Sequence, residues 1–293
     1  MIRRRLTETF GSILEAEPGD DLARIETNQI RELLLTKAGG AVLFRGFQPT
    51  EAEFKAFTER HGTDFVVHHN LTARDYISGD HTFATVNKGD YAIDFHNEMA
   101  SDPVSPDLFW MLACTPARRR GRTGLVDGAI VAEELTERTR KLFSEKALLF
   151  DFEGLPKSLW GSLLPGRVER EQVEAWLLTV GRQRGVAKFN FDADEQLSLT
   201  FMYRAIRQTR LSGITAFCCG LLDSPDIYKF EDGSKPGTPS IVEVAQIAHQ
   251  NALWMDWQPG DLVVIDNTRV MHARAAFEDP QRRILVRYSS MRQ

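Results

Sequence analysis

Trp257-Gln258-Pro259-Gly260-Asp261-Leu262-Val263-Val264-Ile265-Asp266-Asn267-Thr268-Arg269-Val270-Met271-His272 is the stretch that decides the fold. Trp257 to Gly260 has turn chemistry, Asp261 to Ile265 is a short apolar strand, and Asp266-Asn267 is a second turn. Beyond His272, Ile284 to Ser290 alternates Ile284, Val286 and Tyr288 against Arg283, Leu285 and Arg287, the period of an extended strand. The chain therefore ends in closely spaced strands, with Arg283 on one that runs back alongside His272.

Upstream, Ser240 to Met255 carries Ile241, Val244, Ala245, Ile247 and Ala248 at helical spacing, and Asp232 to Gly237 is a loop. Asn28 to Lys37 predicts a helix that stops at Gly39-Gly40 before the strand Ala41 to Arg45. Thr50-Glu51-Ala52-Glu53 predicts a capping box opening a helix with Phe54 and Phe57 that ends near Gly62. Asp64 to Tyr91 is polar and aromatic with weak periodicity, the pattern of a long loop or lid. Strands are expected at Asp107 to Cys114, Thr123 to Val126 and Leu197 to Ile206, and a surface helix over Ile130 to Lys146. This predicts an α+β, β-rich chain, a barrel or jelly roll decorated with helices, with residues 1–293 as one domain and a helical insertion at about 150–193.

Composition narrows the function. A net charge of −5 supplies no cationic footprint for nucleic acid. No run approaches membrane-spanning length, and the basic start Met1 to Arg5 is followed by no apolar segment. Cys114, Cys218 and Cys219 form neither a disulfide framework nor a zinc spacing. The expectation is a cytoplasmic protein with no nucleic-acid or membrane partner.

The chemistry is carried by Phe95-His96-Asn97-Glu98. In an extended strand His96 and Glu98 face the same side with α-carbons about 6.6 Å apart, so both can reach one cation. With 41 acidic residues and seven histidines, chance alone supplies about one His-x-Asp/Glu triplet, and this chain has one. The triplet gains weight from its distant partners, His272 and the cation Arg283, which with His96 and Glu98 make the ligand set of a non-haem iron oxygenase. A keto-acid cosubstrate in such a site needs a fixed bidentate cation for its far carboxylate.

The ordered set Phe44-Arg45-Gly46-Phe47, Phe95-His96-Asn97-Glu98-Met99, Thr123-Gly124-Leu125-Val126-Asp127, Trp257-Gln258-Pro259-Gly260-Asp261, Asp266-Asn267, His272 and Arg282-Arg283-Ile284 resembles the taurine dioxygenase family of Fe(II)/2-oxoglutarate oxygenases. Within it, the chain is most similar to the branch that hydroxylates amino acids, free or carrier-tethered, in natural-product pathways. The resemblance spans residues 44 to 288. It implies a double-stranded β-helix, with His96, Glu98 and His272 as the catalytic ligands of Fe(II). It implies that Arg283 clamps the C5 carboxylate of 2-oxoglutarate and that Thr123 adds a hydroxyl hydrogen bond. Around Thr123 this chain has Arg120-Gly121-Arg122-Thr123-Gly124 where the family often has Gly-Gly-Glu-Thr-Pro. O2 would be the other cosubstrate, succinate and CO2 the coproducts, and Glu98 at the carboxylate position favours hydroxylation over halogenation, with desaturation or cyclisation by the same iron chemistry as the alternative.

On the substrate side, Arg287 is placed by the resemblance where some members hold an acidic group, and a structural ion pair is the other reading. Arg283 and Arg287 face the same side of their strand, about 13 Å apart, too far to share one carboxylate. His68, His69 and Tyr91 are further substrate candidates, set against simple solvation. A small substrate bearing a carboxylate is expected. The run Arg118-Arg119-Arg120-Gly121-Arg122 reads as a solvated turn or as a docking patch for an acyl or peptidyl carrier protein. A silent ligand-binding barrel and a zinc hydrolase are the competing classes, and nothing in the chain suggests the hydrolase's general base.

Overall fold

A computed structural model describes residues 1–68, 74–161, 164 and 168–292. Two sheets face each other. The larger runs in the order Ile2–Arg5, Ser12–Glu15, Ala41–Arg45, Leu262–Asp266, Leu108–Thr115, Arg283–Met291, Asp80–Thr85, Tyr76–Ile77. The smaller runs Leu253–Met255, Thr123–Asp127, Val270–Arg274, Ile93–His96, antiparallel throughout. This strand-rich α+β sandwich is the expected jelly roll.

The central strands of the larger sheet are buried on both faces because both faces are covered. Leu43, Phe109, Met111, Val263, Ile265, Ile284, Val286 and Tyr288 face the smaller sheet, where they meet Leu125, Val270 and Met255. Their neighbours in sequence, Val42, Phe44, Trp110, Leu112, Leu262, Val264 and Leu285, pack outward against helices Thr27–Leu35 and Glu51–His61 through Ile30, Leu33, Leu34, Phe54 and Phe57. The second helix opens on the expected capping box, with Thr50 and Glu53 bonded reciprocally.

Several expectations are corrected. The 150–193 segment is not simply helical: Leu148–Leu155, Val186–Phe191 and Leu197–Tyr203 form, with Lys229–Phe230, a third antiparallel sheet, and short helices including Arg170–Trp176 lie between its strands. Phe150, Phe191, Phe201 and Tyr203 supply apolar faces that bury against the outside of the smaller sheet at Phe95, Val126 and Met271. The stretch expected as a loop from Asp64 to Tyr91 contributes the strand Asp80–Thr85, because the C-terminal strand offers it a free edge at Leu285 and Val286. Ile130 to Lys146 is two helices, Gly128–Glu134 and Glu137–Glu145, capped separately by Asp127 and Thr136. The helix expected to reach Met255 ends at Gln250, and Leu253–Met255 is a strand. No helix among the described residues is long and apolar enough to cross a membrane.

Two buried charge pairs tie the sandwich together. Arg45 grips Asp261 with two bonds of 3.0 and 2.6 Å, joining neighbouring strands of the larger sheet. Arg269, 1 % exposed, grips Asp127 through its Nε and Nη2, and also donates to the carbonyls of Thr36 and Lys37. Removing one partner strands the other charge in the interior. Arg269→Ala is expected to cost about 3–5 kcal/mol, read as a lower urea-unfolding midpoint, and an unchanged midpoint would refute this role for the pair.

Candidate metal and cosubstrate site

His96 closes the strand Ile93–His96, and its direct register partner on Val270–Arg274 is His272. Their ring centroids are 4.2 Å apart. Glu98 lies in the turn just past the strand and brings Oε2 to 3.4 Å from His272 Nε2. Donor atoms of His96, Glu98 and His272 all fall within 4.8 Å of one another, the one such group of three among the described residues. The 3.4 Å edge is near the roughly 3 Å separating neighbouring ligands with metal bonds of about 2.1 Å. Two imidazoles and a carboxylate on one face are the donor set of non-haem Fe(II).

The ligands are set in their binding forms. His96 Nδ1 is 2.8 Å from the carbonyl of Asp94, which fixes the ring and leaves Nε2 as the donor. Burial, assisted by His96, pulls His272 down to about 4, so it is neutral. For Glu98 burial by itself would raise the pKa, but hydrogen bonds with His272 and His68 and the charge of Arg74 outweigh it and hold the carboxyl well below its usual range. Glu98 divides its oxygens: Oε2 faces His272, while Oε1 meets His68 Nε2 at 2.7 Å and Arg74 Nη2 at 3.3 Å.

A pair of amides holds the turn in place. Asn97 Nδ2 donates to the carbonyls of Asn267 and Val270, while Asn267 Nδ2 donates to those of Glu98 and Pro106 and its Oδ1 accepts from the Glu98 amide. The Asp266-Asn267 turn is therefore the brace that fixes the His96-Asn97-Glu98 turn against the His272 strand.

The cavity before the ligands is lined by Arg74, Asn87, Thr123, Arg274, Arg282 and Ile284. Thr123 lines this cavity, its hydroxyl accepting from Trp257 Nε1 at 2.9 Å and keeping its own proton to donate. Arg283 does not line the cavity. The C-terminal strand turns Ile284, Val286 and Tyr288 inward, so Arg283, Leu285 and Arg287 face the other way. Arg283 pairs with Glu51 on the outer helix. Arg287, 2 % exposed, is bonded to Thr58 and Thr82, paired with Glu59, and lies 3.9 Å from the Phe65 ring. It is a buried, paired cation, as in the second of the two readings, and it does not line the cavity before the ligands.

Arg282, one residue earlier, has the inward parity. Its guanidinium has no hydrogen-bond acceptor among the described residues, its Nε is shut off from solvent, and it stacks 4.8 Å over Phe277. Burial first, and then Arg274, lowers it to about 10. Sequence reasoning quoted Arg282 without giving it a role. Strand parity counted back from Ile284, Val286 and Tyr288 was the signal that could have found it.

Of the other candidates, His68 is at the site beside Glu98. His69 lies outside the described residues. Tyr91 is 56 % exposed and sits at the rim, where its carbonyl accepts from Arg274 Nη2 and its ring stacks under that guanidinium. Arg74, Arg274 and Tyr288 are site residues that sequence reasoning missed.

Residues 3–154 and 221–289 match the profile of the family described as taurine catabolism dioxygenase TauD, TfdA family. The fold and site define the class, a non-haem Fe(II)/2-oxoglutarate oxygenase. The chain belongs to the TauD, TfdA family. The family match skips residues 155–220, which include two strands of the third sheet. A clavaminate synthase-like protein of Arabidopsis thaliana is 24% identical over 276 residues, covering 86% of this chain and 82% of its own. A taurine dioxygenase structure from Burkholderia xenovorans superposes with a TM-score of 0.64 at 16% identity, covering 100% of this chain and 89% of that one. The structure of AAD-2 in complex with Mn(II) and N-oxalylglycine gives 0.63 at 16%, covering 99% and 97%.

Two outcomes are expected. Asn267→Ala, which removes the brace but no ligand, should weaken Mn(II) binding measured by electron paramagnetic resonance about 10–100-fold, and unchanged affinity would contradict the role. Buried Asp266 is raised from 3.8 to about 6 by burial. The folded state thus holds this proton more tightly than the unfolded chain, and rising pH between about 4 and 6 costs stability. Asp266→Asn should remove that slope, on the order of 2–3 kcal/mol, in urea titrations at pH 4.5 and 7; an unaltered slope would assign it elsewhere.

Proposed function

We propose that this oxygenase hydroxylates an unactivated C–H bond of a small, amino-acid-like substrate bearing a carboxylate, with release of succinate and CO2. Arg282 carries the reading: it is a cation with no hydrogen-bond acceptor among the described residues, lining the same cavity as the three ligands. The far carboxylate of 2-oxoglutarate is the anion that this fork fits, with the Thr123 hydroxyl as a second donor. That replaces Arg283, the expected clamp, by its neighbour.

Fe(II) bound to His96, Glu98 and His272 supplies oxygen activation coupled to decarboxylation of the keto acid. The protein's part is orientation. His272 presents a neutral nitrogen, His68 holds one Glu98 oxygen so that the other faces the metal position, and Phe109, Met111 and Ile284 keep the cavity wall apolar. An apolar wall protects a reactive C–H oxidation from side reactions with water. Within the basic turn, Arg120 and Arg122 already pair with Glu278 and Asp256, which favours a free substrate over one delivered by an acidic carrier.

Anaerobic Fe(II) plus 2-oxoglutarate should give a weak visible charge-transfer band that His272→Ala abolishes. Arg282→Ala should weaken 2-oxoglutarate binding, titrated through that band, by about 10–100-fold, as expected for loss of a charged hydrogen bond. Arg283→Ala should change it by less than about threefold. The opposite ranking would return the clamp to Arg283, and a wild-type protein with no band would sink the reading.

A further inference from the structure

We infer that Arg74, not Arg287, is the residue that reads the substrate's anionic group, and that in the resting site it is held in reserve on Glu98. The inference rests on the function proposed above. Arg74 comes from the segment before the strand Asp80–Thr85, and its side chain is only 8 % exposed. It is poorly satisfied for a buried guanidinium. Among the described residues its two hydrogen bonds, to Glu98 Oε1 and to the Thr85 carbonyl, are both 3.3 Å long, and its Nε has no partner. It lies 5.7 Å from the ring of Tyr288, whose buried hydroxyl also lacks a hydrogen-bond partner among the described residues. Two under-used polar groups side by side, with Arg74 lining the cavity, are what a bound ligand completes.

Charge counting gives the sign of that ligand. Arg74, Arg274 and Arg282 line the cavity with Glu98 as its one acid among the described residues, an excess of two positive charges. A divalent metal adds two more, and dianionic 2-oxoglutarate removes only those two. The loaded site therefore still attracts an anion.

The three guanidiniums are not equivalent. Arg274 spends both Nη groups on the carbonyls of Asn87 and Tyr91, each at 2.8 Å, so it is a structural tie. Arg282 is assigned to the cosubstrate. Arg74 remains, and its present counter-ion is the carboxylate that the metal would share. With a metal held by His96, Glu98 and His272, Glu98 would be a weaker counter-ion for Arg74, which would leave that guanidinium to a carboxylate of the incoming substrate. A planar, bidentate acceptor suits its fork better than a point charge.

The test uses protein loaded with Mn(II) and 2-oxoglutarate, with [13C]acetate as the probe and [13C]acetamide as its uncharged match. Nuclear relaxation by Mn(II) reports how tightly each probe binds near the metal. Wild type should show saturable relaxation of acetate well above that of acetamide. Arg74→Gln should weaken the acetate effect about tenfold or more, and Arg74→Lys should retain part of it. Binding of 2-oxoglutarate, followed separately through the charge-transfer band, should survive both substitutions and fail in Arg282→Ala. Acetate relaxation that is equal to acetamide's in wild type, or unchanged in Arg74→Gln, would overturn the inference while leaving the cosubstrate assignment standing. Loss of 2-oxoglutarate binding in wild type would instead remove the reading beneath it.

Discussion

The C-terminal strand Arg283–Met291 is buried on both faces, and that constraint governs the site. Its inner face packs into the sandwich at Phe109, Met111 and Leu125, and its outer face lies under the two N-terminal helices. A shift of one residue would exchange the two faces, so the parity is locked by the whole of both cores. It fixes Tyr288 beside Glu98, puts Arg282 into the cavity and sends Arg283 and Arg287 to the outer layer. The irregular pairing at Arg283 and Ile284 marks where the strand leaves the ladder to enter the cavity rim.

The metal ligands depend on a second constraint, the mutual bracing of two turns. His96 and His272 are adjacent because their strands pair, but Glu98 lies beyond the ladder and has no strand to hold it. Asn97 and Asn267 supply what the ladder does not, exchanging hydrogen bonds with each other's turn and satisfying buried carbonyls that would otherwise be orphaned. Nearby, Asp127 and Arg269 anchor the base of the same strands, so an electrostatic pair and an amide pair frame the site from two sides. Cations dominate the cavity. Their mutual repulsion is tolerable because the site is built to receive anions.

Much of this was legible in the chain. Period-two alternation and turn residues exposed the terminal strands, the Thr50 capping box marked a helix start to the residue, and the resemblance carried by the ordered motifs pointed to His96, Glu98, His272 and Thr123. Other elements were hidden. Asp80–Thr85 carries little strand signal because a short polar strand takes its order from the neighbours it pairs with. The 148–203 segment showed a helix at its centre, while its strands were recognisable only through the apolar surface they cover.

By itself, then, the sequence determined which residue types are available for chemistry and that β structure surrounds them, because side-chain identity and local periodicity are properties of short stretches. Only the tertiary structure decided which arginines line the cavity. Arg282, Arg283 and Arg287 are chemically identical, and Arg74 lies far from them in the chain. What separates them is where the fold turns each one and the charge already waiting there: Glu51 for Arg283, Glu59 for Arg287, Glu98 for Arg74, and no acidic partner among the described residues for Arg282.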